Sequence, residues 1–228
     1  MSMMTSDAEI EIAGYQWVPP FARGFVRDLR PRWACEEAGI PYRERLADVT
    51  NKPGWLLDAQ PWGQVPIMRD GDIRLFESGA TLLHLGEKSE TLLPRGPQQR
   101  AAAISWVLGA FNSVEPWLFE WVNVTAFARD EEWAKLRRPS LEEFIAKRLA
   151  PLEKLLGGQD WLGESFTIAD IAVGYALYLG EGLGLAGFYE PQVQAYLARL
   201  KARPAFQRAE PMGAGPDSLV VKKYPFSD

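Results

Sequence analysis

The chain is short of cysteine and histidine, with one of each among 228 residues. A single cysteine excludes an intramolecular disulfide, a Cys-x-x-Cys redox pair and a thiolate metal cluster. A single histidine argues against metal or triad chemistry based on imidazole. Basic residues are outnumbered by acidic ones, with 25 Lys and Arg and 30 Asp and Glu, so the net charge is −5. We therefore expect neither a metal nor a nucleic-acid partner.

Long apolar runs are lacking as well. We find no stretch near the roughly 20 residues that cross a bilayer, and the start MSMMTSDAEIEI lacks the basic and apolar pattern of a secretory signal. These absences predict a cytoplasmic protein with no membrane partner. What the chain does have is a globular composition, 47% hydrophobic with 9 tryptophans. Its length suits one or two compact domains.

The most informative stretch is residues 60–85, QPWGQVPIMRDGDIRLFESGATLLHL. Two short apolar runs, 65–68 and 73–76, flank Asp-Gly-Asp, and this pattern predicts a β-hairpin. Apolar residues at helical spacing follow Glu77 and Ser78, so a helix is expected to begin where the second strand ends. The unpaired N–H groups of a helix start, beside a serine hydroxyl, suit a carboxylate.

The bond between Val65 and Pro66 lies at the other edge of this hairpin. X-Pro bonds are the ones that can be cis. A cis bond here would direct the backbone N–H and C=O of Val65 out of the sheet, toward an extended peptide. One interpretation is a peptide-like ligand whose backbone pairs with Val65 and whose carboxylate is bound at Ser78. The other is an ordinary hairpin packed under a helix.

The segments around this hairpin follow a recognisable order. Upstream, the pattern predicts a strand at 9–15, a helix from Asp28 or Leu29 to Gly39, a second strand at 42–49 and one helical turn at 55–58. Asp28 is a plausible cap of that first helix. Strand, helix, strand, short helix, hairpin and helix are the order of a thioredoxin-like unit.

The pattern changes after residue 88, where SETLLPRGPQQR predicts a linker at 89–99. We assign 1–88 to the α/β domain and 100–228 to an all-α domain. Thr167 and Asp170 have the spacing of a capping box at the start of a helix that is apolar on nearly every face. The tail from 211 onward has no strong period and is expected to be irregular. The helices expected in this domain are 98–122 with a kink or break at Pro116, 141–156, 168–179 and 191–201.

Three segments carry a family resemblance. The pattern Q-V-P-I-M-x-D-G-D-x-x-L-x-E-S-G-A from Gln64 resembles the glutathione-site segment of soluble glutathione S-transferases, and R-W-A-C-E-E-A-G-I-P-Y from Arg32 resembles their first helix. The Thr-Ile-Ala-Asp run at Thr167 is similar to the capping box of their helical domain. The resemblance spans nearly the whole chain and is to bacterial members of uncertain class. It implies a thioredoxin-like α/β domain followed by an all-α domain, in a homodimer.

The resemblance also implies site residues. Glu77 and Ser78 match the pair that holds the γ-glutamyl end of glutathione, and Val65 matches the residue whose backbone meets the cysteinyl part. Gln64 and, more loosely, Lys52 stand where relatives contact the peptide or its glycyl carboxylate. Each residue also has a purely structural interpretation: Ser78 as a helix cap, Glu77 as a first-turn acid and Lys52 as a solvated loop charge.

The residue that activates the thiol is harder to identify. Members of the family place Tyr, Ser or Cys between the first strand and the first helix, but residues 18–32 contain no Tyr, Ser, Thr or Cys. The matching positions hold Phe25, Val26 and Arg27. Arg27 is the first candidate, because a guanidinium can donate to a thiolate; an ion pair with an acid such as Asp28 is its structural alternative. Tyr15 is the second candidate.

The resemblance predicts a glutathione transferase, in which glutathione is the co-substrate and its thiolate attacks a small apolar electrophile. Two alternatives stay open. One is a glutathione-dependent isomerase of the maleylacetoacetate type, although the serine-rich loop of those enzymes is missing. The other is a non-catalytic glutathione-binding protein that has lost thiol activation, which the missing hydroxyl favours.

Overall fold

The computed structural model describes residues 10–210 and 220–225. Its contacts divide the chain into two compact units, Met1–Leu92 with Arg203–Asp228, and Leu93–Ala202. The predicted fold class, a thioredoxin-like α/β domain and an all-α domain, is confirmed. The boundaries differ from the expected 1–88 and 100–228, because residues from Arg203 onward belong to the first unit and α-helix begins again inside the expected linker, at Pro97.

Helices and strands alternate in the first unit and give way to helices in the second. The first unit contains β1 (Ile10–Tyr15), α1 (Leu29–Ala38), β2 (Tyr42–Ala47), α2 (Gly54–Ala59), β3 (Ile67–Asp70), β4 (Ile73–Phe76) and α3 (Ser78–Glu87). The helical unit contains α4 (Pro97–Gly109), α5 (Glu115–Val122), α6 (Glu132–Leu156), α7 (Ile168–Gly180) and α8 (Pro191–Lys201). The chain then returns to the first unit with α9 (Pro204–Ala209) and β5 (Val220–Pro225).

The sheet of the first unit has the order β4-β3-β1-β2-β5. Strand β1 pairs in parallel with β2 and antiparallel with β3, and the β3–β4 hairpin turns at Gly71, whose φ is +57°. A positive φ suits glycine because it has no Cβ. The predicted hairpin is confirmed.

The fifth strand corrects the expectation of an irregular tail. Residues Val220–Pro225 form β5, which pairs in parallel with β2 at one edge of the sheet. The rest of the tail, 211–219 and 226–228, lies outside the described residues. The tail therefore extends the first unit instead of completing the helical one.

The helical unit follows the predicted pattern with two changes. The expected helix at 98–122 is broken before Pro116, because a π-helical turn at Ala110–Val114 separates α4 from α5. Helix α6 is longer than the expected 141–156, since it begins at Glu132 and continues through Pro139.

Helix α7 forms the centre of the helical unit, because its side chains are buried on nearly every face. Its capping box is confirmed: the Thr167 hydroxyl accepts from the Ala169 N–H at 3.2 Å, and an Asp170 oxygen accepts from the Thr167 N–H at 2.8 Å. The segment Ile168–Phe188 is nevertheless long and apolar enough to cross a membrane. This finding corrects the expectation that the chain has no apolar run of that length. The apolar window within this segment is 56% buried inside the protein, as expected for a core helix.

Candidate functional site

The hairpin edge that precedes β3 is arranged as the sequence suggested. The Val65–Pro66 bond is cis. Strand pairing within the described residues begins at Ile67, so Val65 lies just outside the ladder while its side chain packs in the core. The backbone N–H and C=O of Val65 therefore lie before the first paired residue of β3.

The start of α3 carries Glu77 and Ser78. Glu77 has φ +69°, the only positive φ among the described non-glycine residues, and its side chain is exposed. Backbone strain of this kind persists where the surroundings hold it and is concentrated at functional sites. Ser78 is the first residue of α3 and is only 2% exposed, so the hydroxyl lies at the buried base of the helix start.

Arg30 is a residue that the sequence reasoning missed. It lies in α1, is fully buried, and its Nη1 donates to the Ser78 hydroxyl oxygen at 2.9 Å. A guanidinium has donors only, so the serine oxygen accepts this bond and keeps its own hydrogen for another acceptor. The buried positive charge adds to the positive end of the α3 dipole. The helix start is therefore an electropositive point that can donate a hydrogen bond.

The loop before Val65 is organised by Gln60, another residue that the sequence reasoning missed. The buried Gln60 side chain accepts from the Trp62 N–H at 2.5 Å and from the Gln64 N–H at 3.4 Å. The exposed Lys52 reaches the same loop, because a Cβ built on Gly63 would lie 3.8 Å from its Nζ. Lys52 and Gln64 are thus brought to one loop beside Val65.

Tyr15, the second candidate for thiol activation, ends β1 and packs against the core cluster that contains Val65. Burial, together with the negative charge of Asp28, raises the pKa of Tyr15. The phenol therefore stays protonated near neutral pH, so it can donate a hydrogen bond to a thiolate there but cannot act as a phenolate base.

Arg27, the first candidate, lies in the turn before α1 and is half-buried. Its carbonyl accepts from the Arg30 N–H at 3.3 Å, and the neighbouring Val26 packs against the same cluster as Tyr15. Asp28 occupies the cap position of α1 but makes no side-chain capping bond. Its Oδ2 instead lies 3.1 Å from Nε of Arg32, so Asp28 forms an ion pair with Arg32 of α1.

The chain's own thiol is not available for this chemistry. Cys35 is fully buried in α1, and burial raises its pKa, so it remains a neutral thiol. Within residues 10–210 and 220–225, no group of three or more His, Cys, Asp or Glu side chains is placed to hold a metal ion. Any reactive sulfur at this site has to come with a ligand.

Comparison with known proteins identifies the family. The model of the glutathione S-transferase N-terminal domain matches residues 29–88, and that of the C-terminal domain matches residues 117–208. The glutathione S-transferase of Hyoscyamus muticus is 28% identical, over 75% of this chain and 84% of the relative. The disulfide-bond oxidoreductase YfcG of Escherichia coli is 30% identical, over 76% of this chain and 85% of the relative.

A solved structure agrees with these relatives. A glutathione transferase family member from Pseudomonas fluorescens, crystallised with two glutathione molecules bound, superposes with a TM-score of 0.76 and 26% identity, over 91% of this chain and 95% of that one. The chain belongs to the glutathione S-transferase family. The resemblance seen in the sequence is confirmed, whereas the individual site residues remain predictions.

Proposed function

We propose that this protein is a glutathione transferase that binds glutathione between the Val65 backbone and the start of α3. The observation that carries the proposal is the buried Arg30–Ser78 hydrogen bond of 2.9 Å, which leaves a polarised serine hydroxyl at a helix N-terminus. A carboxylate is the natural ligand for such a point. The glutathione bound in the Pseudomonas fluorescens relative supports the choice of ligand.

The parts of glutathione can be assigned to residues of the first unit. The γ-glutamyl carboxylate accepts from the Ser78 hydroxyl, and Glu77 pairs with the α-amino group. The cysteinyl backbone pairs with the N–H and C=O of Val65. Gln64 and Lys52, which meet at one loop, bind the glycyl carboxylate. Each charged end of the tripeptide thus meets a group of opposite charge or a hydrogen-bond donor.

The reaction requires the thiolate form of glutathione, which attacks a small apolar electrophile. We assign thiol activation to Arg27 first, because a guanidinium both donates to sulfur and stabilises its negative charge. Tyr15 is the second candidate, as a neutral phenol donor.

A titration tests this assignment. Ultraviolet absorbance of glutathione thiolate is followed against pH with the full chain in excess, and the proposal predicts a bound-thiol pKa below the ordinary thiol value of about 8.5. Arg27→Ala should return that pKa toward the ordinary value and lower kcat about 100-fold, whereas Tyr15→Phe should have a smaller effect. Binding without thiolate would point to the non-catalytic alternative, and no binding would remove the function.

A second reaction, glutathione-dependent disulfide reduction, is favoured by two observations on relatives. The relative with 30% identity is named a disulfide-bond oxidoreductase, and the Pseudomonas fluorescens structure holds two glutathione molecules. One glutathione thiolate would attack a substrate disulfide and release a thiolate, which takes up a proton. The second glutathione would attack the mixed disulfide, giving glutathione disulfide and the second substrate thiol.

The two reactions are separated by parallel assays with glutathione. Conjugation is measured with 1-chloro-2,4-dinitrobenzene, and disulfide reduction with bis(2-hydroxyethyl) disulfide coupled to glutathione reductase. Cys35→Ser should leave both rates unchanged, because its thiol is buried and protonated. A rate only with the disulfide would favour the second reaction, and a rate that depends on Cys35 would contradict both mechanisms.

We further propose that the protein works in the cytoplasm as a homodimer, which family membership supports. Light scattering coupled to size-exclusion chromatography tests the oligomeric state. A mass near twice the chain's 25.6 kDa is expected, and a mass equal to one chain would contradict the proposal.

A further inference from the structure

A row of arginines crosses the sheet of the first unit. Arg69 of β3 lies directly opposite Glu11 of β1 on one side and Arg74 of β4 on the other. Residues directly opposite on neighbouring strands project from the same face of a sheet. Arg45 of β2 is opposite Ala13, two residues beyond Glu11, so it shares this face as well. Three guanidinium groups therefore gather on one face.

This face is not flat, because the three arginines and Trp55 of α2 line a cavity of about 310 Å³. One of the arginines is held in place: the Arg45 guanidinium carbon lies 4.2 Å from the centroid of the Trp55 ring, and its Nη1 lies 3.8 Å from a Glu11 oxygen. Stacking on an aromatic ring fixes the plane of a guanidinium. The cavity thus has one pre-oriented donor group, Arg45, and two exposed ones, Arg69 and Arg74.

The charges of this cavity do not balance. Glu11 and the exposed Asp58 are the acidic residues that line it, against three arginines. Burial and the neighbouring charges of Arg69 and Arg74 lower the pKa of Arg45, against the opposing effect of Glu11. Neither Arg69 nor Arg74 forms an ion pair with any residue in the described part of the chain.

The strongest argument for anion binding is the pair Arg69 and Arg74, which lie directly opposite each other on β3 and β4. Like charges directly opposite on adjacent strands destabilise a sheet, and the protein as a whole carries a net charge of −5. A local excess of positive charge that costs stability is expected where it serves binding. An anion between the two guanidinium groups would remove the repulsion.

We propose that this cavity, the arginine pocket of Arg45, Arg69 and Arg74, binds a small dianion of the organic phosphate or dicarboxylate class. Guanidinium groups bind both oxyanions with paired hydrogen bonds. The volume of about 310 Å³ suits a ligand of a few heavy atoms beyond its anionic group. The arginine pocket shares no residue with the proposed glutathione site, so it is a separate site.

Isothermal titration calorimetry on the full chain tests the proposal, with inorganic pyrophosphate and succinate as separate probes at fixed ionic strength. Saturable one-site binding of at least one probe is expected, and the tighter probe tells phosphate from dicarboxylate. The variant Arg69→Gln with Arg74→Gln should weaken binding about tenfold or more. Its melting temperature should not fall, since both side chains are exposed and repel each other.

The matched control is Arg129→Gln with Lys135→Gln, which removes two exposed positive charges from the helical unit. This control should bind within about twofold of the parent protein. Equal weakening in control and pocket variants, or no saturable binding of either probe by the parent, would overturn the proposal.

The titration is repeated with saturating glutathione, which should leave probe affinity unchanged. Competition by glutathione would show that the probe occupies the glutathione site. It would overturn the proposal that the arginine pocket is a separate site. Failure to bind glutathione at all would refute the proposed function but leave probe binding to the arginine pocket as predicted.

Discussion

The two units bury their charged groups very differently. In the first unit, α1 alone contributes Arg30, Arg32 and Glu36 to the interior, and β2 contributes Glu44. In the described part of the helical unit the buried charged residues are Glu115 and Asp170, and the remainder of that core is mainly aliphatic and aromatic.

This difference shows what each unit depends on. In the first unit the buried charges of α1 connect elements that are far apart in sequence: Arg30 bonds to Ser78, Arg32 to the Ala209 carbonyl and Glu36 to Arg208. The candidate glutathione site at Ser78 therefore depends on an electrostatic network. The helical unit depends on apolar packing and on carboxylates that accept from helix starts, of which Asp170 is the buried one. The following substitutions test that contrast, from the largest expected effect to the smallest.

Asp170→Ala removes the carboxylate on which the helical unit relies. Its oxygens accept from the N–H groups of Leu162 and Thr167 and from the Tyr196 hydroxyl, at 2.8 to 2.9 Å. Removal leaves three buried donors without an acceptor, so unfolding free energy should fall by about 4 kcal/mol. Chemical denaturation measures it. Tyr196→Phe, which removes one of the three bonds, should cost only about 1 kcal/mol. Equal costs would contradict a shared acceptor.

Arg32→Met tests the network of the first unit. The Arg32 Nε lies 3.1 Å from Asp28 and 3.7 Å from Glu44, and all three residues are buried. Substitution leaves two buried carboxylates without their cation, at a cost of about 3 kcal/mol in unfolding free energy. The triple change that also makes Asp28→Asn and Glu44→Gln should recover part of the loss. No recovery would mean that the loss comes from packing and the bond to the Ala209 carbonyl, and not from the two ion pairs.

Arg203→Gln tests the ion pair that joins the start of α9 to Glu37 of α1. Two Arg203 nitrogens donate to the two Glu37 oxygens at 2.5 and 2.7 Å. Loss of this half-buried bidentate pair should lower unfolding free energy by about 1.5 kcal/mol. Lys147→Gln, which removes the exposed partner of Glu143, should be nearly neutral. An equal effect of both changes would argue against the geometry of the Arg203 pair.

Asp70→Asn should show the smallest effect and a defined pH dependence. Burial raises the pKa of Asp70, but hydrogen bonds from His84 and Lys88, at 2.7 and 2.6 Å, outweigh it and lower the pKa overall. A lowered carboxylate pKa stabilises the fold above the unfolded value of about 3.9 and loses that effect as pH falls through the folded value. The variant should be about 1 kcal/mol less stable at pH 7. A difference that persists unchanged at pH 2 would contradict this origin.

Local patterns predicted much of the fold, because their causes lie within a few residues. The hairpin at Asp70 to Asp72, the helix start at Ser78 and the capping box of Thr167 and Asp170 all depend on neighbours in sequence. The start of α6 was missed, since the pattern predicted a helix only at 141–156 whereas α6 begins at Glu132 and continues through Pro139.

Long-range contacts account for the rest. Arg30 and Arg32 lie at the start of the predicted first helix, where nothing in the local pattern indicates burial, and Ser78 and Glu44 meet them there from other elements. Strand β5 has no strong alternation, and it forms at the edge of the sheet because β2 offers a partner some 180 residues earlier. No local signal predicts such pairings.

The most direct test of the central claim is the glutathione affinity of Ser78→Ala, measured by calorimetry beside Ser105→Ala. Ser105 is an exposed serine of α4 whose hydroxyl donates to the Ala101 carbonyl. Ser105→Ala therefore makes the same chemical change outside the proposed site. If Ser78 holds the γ-glutamyl carboxylate, its loss should weaken glutathione binding about tenfold or more, while Ser105→Ala leaves it unchanged. Unchanged affinity in a folded Ser78→Ala protein would contradict the account.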